Sequence, residues 1–363
     1  MNKHLMILVI ICLITGIAYS QQPSGIFRTG VVLQKWSIEN MNDPISQGTF
    51  PIEVIYPVRE NINLQINHSP GISQYAGNIL SGLSDTWIRG TYSLSNKRVL
   101  ISFGVGLPTG KTQLKTSEMT ISYLLSQNIF KFRLPVYGQG LTLNGGVMYA
   151  YSVSEKLAVG AGLNYVFRGK YKISKDISTA YDPGDQIGVN LGLDYLITPK
   201  FRSNFDLIYS YYSADKFDNI KAFVSGPKIT TQLGGRYYLT NGYIQFALIY
   251  RSKGKNENWN GQTLVPDNLN SNGPQREMDI GARLIMSNML SLLFSAEVRS
   301  YMENEAKHGW ADVLGGGIGY DLSVTQKLNI TMTFKLFYGD GEFNNESPTF
   351  LGTELYIGTR WKL

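Results

Sequence analysis

Side chains change character at every second residue through most of this chain, and a period of two belongs to strands rather than helices. Over residues 98–107, Val99, Ile101, Phe103, Val105 and Leu107 share one face, while Ser102, Gly104 and Gly106 share the other. Residues 140–152, 186–195 and 328–338 repeat the pattern. Beyond the first twenty residues no continuous apolar run approaches the ~18 residues of a spanning helix. If the chain crosses a membrane, it does so as strands.

A soluble antiparallel sandwich also alternates, so the content of the two faces decides. The polar face is rich in Gly, Asn, Thr and charge; the other is apolar and often ends in Tyr or Trp. Lipid outside, a polar lumen and aromatic girdles at both interfaces produce that division. The connections also alternate. Short ones fall near 58–61, 95–97, 153–156, 198–200, 240–242, 287–289 and 324–327. Long ones fall near 38–47, 69–81, 108–138, 171–184, 213–224, 252–274, 303–309 and 340–347. Short periplasmic turns and long external loops characterise outer-membrane barrels.

The expected fold is therefore all-β: a single antiparallel transmembrane β-barrel of sixteen strands with both ends on the periplasmic side. Pro51 interrupts the second strand candidate, and proline demotes a central strand. If residues 21–57 form a plug or periplasmic arm, the count falls to fourteen.

Residues 1–20 read as a secretory signal. Lys3 opens it, Met6 to Ile14 form the apolar run, and Ala18 and Ser20 place small residues before a cut at Gln21. Residues 21–363 then form the barrel. The lone cysteine, Cys12, lies within that signal, so the exported chain relies on no disulfide. The last strand alternates Leu355, Ile357, Thr359, Trp361 and Leu363. It resembles the signal read by the barrel assembly machinery, with Leu363 where Phe is usual. Membrane lipid, that machinery and a small-molecule solute are the expected partners. The net charge of +6 is spread without a basic run, which gives nucleic-acid binding no support.

Catalysis is not expected. Past the signal only His68 and His308 remain, and neither stands in an extended hydrolase motif. No cysteine or paired histidine is available for a metal, and Asp215 with Asp218 reads as solvated loop charge. No cofactor is implied.

Several short motifs carry a family resemblance. Residues 81–85 read Ser-Gly-Leu-Ser-Asp and lead into Trp87-Ile88-Arg89-Gly90. Residues 104–110 read Gly-Val-Gly-Leu-Pro-Thr-Gly, and residues 181–185 read Tyr-Asp-Pro-Gly-Asp. In order and spacing, over roughly residues 50–250, they resemble a group of outer-membrane barrels, the channels linked to the meta-pathway of phenol degradation. The resemblance implies an outer-membrane passage for small molecules, often hydrophobic or aromatic compounds.

Charges on the polar face of such a barrel point inward, because lipid exposure costs about 2–4 kcal/mol at the bilayer midplane. Arg89, Arg168, Asp194, Asp206, Arg236, Arg283, Glu297 and Arg299 are the candidate pore-lining or substrate-binding residues. The excess of arginine leans toward anionic solutes. Opposite charges on one face, such as Glu297 with Arg299, equally suit ion pairs that tie strands together. The 108–138 connection carries Tyr123, Leu124, Leu125, Ile129 and Phe130. They are expected to extend the flanking strands above the membrane; folding inward as a constriction is the alternative.

Overall fold

The computed structural model describes residues 25–94, 98–176, 178–342 and 346–363. The expected signal at 1–20, the turn at 95–97 and part of the 340–347 connection lie outside the described residues.

Sixteen antiparallel strands close into one barrel. β1 is Ile26–Ile38. β2 is Ile45–Thr49 continued by Ile52–Arg59, β3 is Ile62–His68 continued by Pro70–Tyr75, and β4 is Asn78–Leu83 continued by Thr86–Ser93. β5 (Val99–Leu107), β6 (Thr142–Ser152), β7 (Leu157–Arg168), β8 (Gln186–Thr198) and β9 (Phe201–Tyr212) follow. Then come β10 (Lys228–Leu239), β11 (Gly242–Lys253), β12 (Gln275–Ile285), β13 (Leu290–Tyr301), β14 (Ala311–Ser323), β15 (Leu328–Gly341) and β16 (Thr349–Lys362). β1 pairs with β16 from Ile26↔Lys362 to Ile38↔Phe350 and closes the ring. Residues 26–59 are therefore wall, and the fourteen-strand alternative is excluded.

Closure leaves no edge strand, so every ladder amide is satisfied where no water can serve it. Val31, Leu33, Phe103, Leu163, Leu191 and Ile318 stand exposed on the outer face, flanked by Tyr151, Tyr195 and Trp361 toward one end and Tyr165, Tyr250 and Tyr338 toward the other. This is the lipid-facing band the alternation anticipates, with its girdles.

Pro51 breaks the hydrogen-bond ladder without displacing the strand. Its ring removes one donor, yet the pairings Thr49↔Gly71 and Ile52↔His68 stay in step. The real irregularity is in β4. Between Gly82 and Trp87 one extra residue intervenes relative to β3, whose partners are Gly71 and Asn67. Such a bulge re-aims side chains. Leu80 above it and Trp87 below it both point inward, although they differ in parity, and Asp85 turns into the interior between them.

Three expected loops are more ordered than their sequence suggests. The 69–81 connection is mostly strand, closed by a tight turn at Ala76 and Gly77 with φ of 49° and 73°, as two-residue hairpins prefer. The 213–224 and 252–274 connections each hold a hairpin, and both join Tyr181–Asp182 in a small five-stranded sheet.

Residues 108–141 depart most from expectation. They do not extend strands above the membrane; they fold into the barrel. After the neck comes α1 (Thr116–Ser126), whose Ile121, Leu124 and Leu125 are buried, one stripe at i, i+3 and i+4. Glu118 starts the helix well. Its carboxylate accepts the Lys115 backbone N–H at 3.0 Å and the Lys111 ammonium at 2.7 Å. Beyond the helix Phe130, Phe132, Leu134 and Tyr137 are buried too. They meet inward side chains of the wall: Trp36 and Ile38 of β1, Ile45 of β2, Leu80 of β4, Val313, Phe337 and Phe350. Trp36 lies 5.1 Å from Phe130 and 5.2 Å from Phe337 between ring centroids. This core is inside the barrel, and burying each large side chain there contributes about 1.5–3 kcal/mol.

Candidate functional site: the barrel lumen

The inserted segment is held at its neck by one carboxylate. Asp85 accepts the Gly110 backbone N–H at 2.9 Å and the Gln139 N–H at 2.6 Å, so it ties the outgoing and returning legs together. Thr109 Oγ1 donates to the Ser84 carbonyl at 3.0 Å and accepts the Thr86 N–H at 2.9 Å. Gly110 must be glycine, since a Cβ there would lie 2.1 Å from the Tyr137 carbonyl oxygen. The two sequence motifs at 81–85 and 104–110 are thus one device, the bulge and neck that start the inward fold.

Two wall glutamines hold the returning leg by its backbone. Gln34 accepts the Arg133 N–H at 2.7 Å and donates to the Lys131 carbonyl at 3.2 Å. Gln47 accepts the Leu134 N–H and donates to the Leu134 carbonyl, both at 2.9 Å. Ion pairs complete the seating: Arg133 to Glu354 at 2.8 Å, and Lys131 to Glu277 at 3.3 Å and Glu297 at 3.6 Å. Lys131 adopts φ +47° to do this, a left-handed conformation unusual outside glycine.

These contacts all fall on β12–β16, β1–β3 and the outer half of β4. The opposite wall carries none of these side-chain ties; on that side Leu114 exchanges backbone bonds with Ile173 and Lys175 of the β7–β8 connection, at the outer mouth. On β5–β11, inward amides lie over inward glycines of the neighbouring strand. Ideal Cβ atoms at Gly104, Gly188 and Gly234 would meet the amide oxygens of Asn144, Asn164 and Asn204 at 2.2, 2.2 and 2.3 Å. The lumen survives along this side as a cavity of about 640 Å³ bordered by Asn204, Gln232, Arg236, Gln245, Asp279 and Glu297.

The eight candidate residues divide between the two walls. On the covered side, Arg283 pairs with Asp321 at 2.7 Å. Glu297 meets Arg299 at 3.1 Å and Lys335 at 3.6 Å. Arg299 is only 2% exposed; its guanidinium lies 4.9 Å from the Phe337 ring and donates to the Ile129 carbonyl. On the bare side, Arg236 donates to Gln245 at 2.8 Å and stacks 4.7 Å above Tyr243. Asp194 pairs with Arg202. Asp206 accepts from Asn204 at 2.9 Å. Arg89 lies 5.1 Å over Trp87. Arg168 donates to the Gly184 carbonyl and to Gln186. Asp194, Arg236 and Glu297 share the 640 Å³ cavity; the other five do not line it.

Sequence reasoning missed Gln34, Gln47, Lys131, Arg133 and the neck role of Asp85. One signal was present: β1 is apolar on both faces at Val31, Val32 and Leu33, and its inward positions Trp36 and Ile38 do not suit a wet lumen.

The remaining chemistry-bearing residues are engaged in the scaffold. His68 Nδ1 bonds Thr86 Oγ1 at 3.0 Å, and His308 meets Glu342 at 2.7 Å. The Gly309 backbone N–H and His308 hold the Glu342 carboxyl below its usual range, against a small opposing effect of burial. Asp215 accepts from Tyr181 and Gly184, and Asp218 from Ala180. Among the described residues no group of three or more His, Cys, Asp or Glu is placed to hold a metal.

No family model matches the chain, and no curated protein matches it in sequence. Solved structures do match its shape. OprB of Pseudomonas putida superposes with a TM-score of 0.53 at 9% identity, over 93% of this chain and 94% of that one. An anion-selective porin from Comamonas acidovorans gives 0.47 at 10% identity, over 94% and 99%. The CymD monoaromatic hydrocarbon channel gives 0.47 at 11%, over 94% and 89%. The likeness to OprB is one of fold. With the closed ring and its lipid-facing band, it makes this chain a sixteen-stranded β-barrel of the outer membrane.

Proposed function

We propose that the protein is a passive channel for small molecules, with its passage running between the inserted segment and the wall of β5–β11. One observation carries this reading: beyond its neck and the bridge from Leu114 to Ser174 in the β7–β8 connection, the inserted segment is seated on one wall and leaves a polar cavity along the other. In this reading Arg89, Arg168, Asp194, Asp206 and Arg236 line the passage. Arg283, Glu297 and Arg299 act mainly by fastening the covered wall, with Glu297 reaching the cavity edge. The resemblance to the phenol-pathway barrels adds small aromatic compounds as the first solutes to try. A non-enzymatic role is supported by the engagement of His68 and His308 in scaffold bonds.

Conductance of the refolded protein in a planar lipid bilayer tests the reading. Stepwise currents that grow when residues 115–133 are replaced by a short glycine-serine linker are expected. A folded barrel that passes no current, and no aromatic solute in liposome uptake, would instead be an envelope scaffold. Two attached proposals have their own checks. N-terminal sequencing of exported protein should begin at Gln21. Replacing Trp361 and Leu363 with Ala should lower the yield of assembled barrel.

A further inference from the structure

Lys228 opens β10 and Lys253 ends β11, and the ladder sets them directly opposite each other. Like charges so placed repel and destabilise a sheet. Arg251 stands two residues below Lys253 on the same inward face. Glu277, the carboxylate that acts on Lys228, is already taken: Arg251 holds it at 2.7 Å and Lys131 at 3.3 Å. Asp215 and Asp267 act on Lys253 without coming within ion-pair distance, and Asp215 is bonded to Tyr181 and Gly184. Neither Lys228 nor Lys253 forms an ion pair among the described residues, although both are only half exposed. Lys253 has the Phe223 ring at 6.0 Å, which attracts a cation without neutralising it.

These three cations line a cavity of about 330 Å³ together with Asn128, Ser271, Asn272 and Tyr301. Asn128 belongs to the inserted segment, so the cavity lies between that segment and the bare wall, at the outer end of the lumen. The Tyr301 hydroxyl has no hydrogen-bond partner among the described residues. Amides, a hydroxyl and two ammonium groups that no carboxylate contacts directly make a donor set with an excess of positive charge. An oxyanion supplies the acceptors and the charge that this set lacks, and bonds from ammonium to such oxygens are among the stronger hydrogen bonds.

We propose that this outer-mouth cavity is a binding site for an oxyanion, a phosphate or carboxylate group, with Lys228 and Lys253 as its principal ligands and Arg251 as the third cation. It sits upstream of the 640 Å³ cavity, so it would collect anionic solutes at the entrance.

Inorganic phosphate is the probe, titrated calorimetrically into the refolded barrel in detergent at constant ionic strength. Saturable binding is expected. The double variant Lys228→Gln, Lys253→Gln should lose roughly tenfold or more in affinity, the scale of one or two lost charge-assisted bonds. Lys200→Gln, in a periplasmic turn, should bind as the wild type does. Absence of saturable binding, or binding that survives in the double variant, overturns the site. Thermal unfolding in phosphate-free buffer gives a second reading. The double variant should melt no lower than the wild type, because a repulsion has been removed. A clear drop would mean the lysines are already satisfied within the protein and would also overturn the proposal. Binding and conduction are read separately: a sealed barrel that still binds phosphate defeats the channel reading alone.

Discussion

The two walls of this barrel share one backbone pattern and differ in what they carry inward. On β12–β16 and β1–β3 the inward side chains are aromatic, aliphatic or ion-paired, and the inserted segment covers them. On β5–β11 glycines with asparagines folded over them alternate with polar and charged side chains, and the inserted segment leaves most of this surface uncovered. Alternation says which way a side chain points. The volume and polarity of the inward set decide whether that surface becomes a core or a passage. Charge alone is a poor guide: Arg299 and Arg236 are both inward arginines, yet one is sealed and paired while the other stands in the open lumen.

That contrast is broken most strongly by Arg299→Ala. It leaves Glu297 short of its nearest cation and opens a gap beside Phe337, and removing one partner of a buried pair costs about 3–5 kcal/mol. Arg236→Ala should fall within about 0.5 kcal/mol, as surface changes usually do. Urea unfolding of both variants in lipid vesicles checks the ratio, and equal costs would erase the distinction between the walls.

An effect of the same order is expected at the neck. Asp85→Ala removes two charge-assisted bonds, each worth about 1.5–3 kcal/mol. Hydrogen exchange should quicken at Gly110, Gln139 and through α1 while strands β6–β11 stay protected. Uniform quickening would mean that the carboxylate supports the whole barrel rather than the inserted segment.

On the bare wall, Gly234→Val should lower conductance with little loss of stability. The new side chain collides with the Asn204 amide, 2.3 Å from the ideal Cβ, and drives it into the passage. An unchanged current would place the passage elsewhere. The smallest effect is expected from Arg236→Gln, a modest shift of ion selectivity toward cations, because exposed charge is screened over ~8 Å at physiological salt. Reversal potentials in a salt gradient measure it.

The sequence by itself determined the barrel. A period of two, turn residues at regular intervals and an apolar face ending in Tyr or Trp are local, repeated signals, and sixteen strands with a lipid-facing band follow from them. It also marked the neck, since residues 81–85 and 104–110 stand out as motifs in the sequence alone. The inward fold of residues 108–141 was not legible. The helical spacing of Ile121, Leu124 and Leu125 was there to read, but a helix stripe does not say which surface will cover it. That surface comes from Trp36, Ile45, Leu80, Val313 and Phe337, scattered over the whole chain and gathered only by closure. The same holds for the charges. Whether Lys131 meets Glu277 or Lys228 faces Lys253 depends on strand register and on where the inserted segment lies, and only the tertiary structure sets those distances.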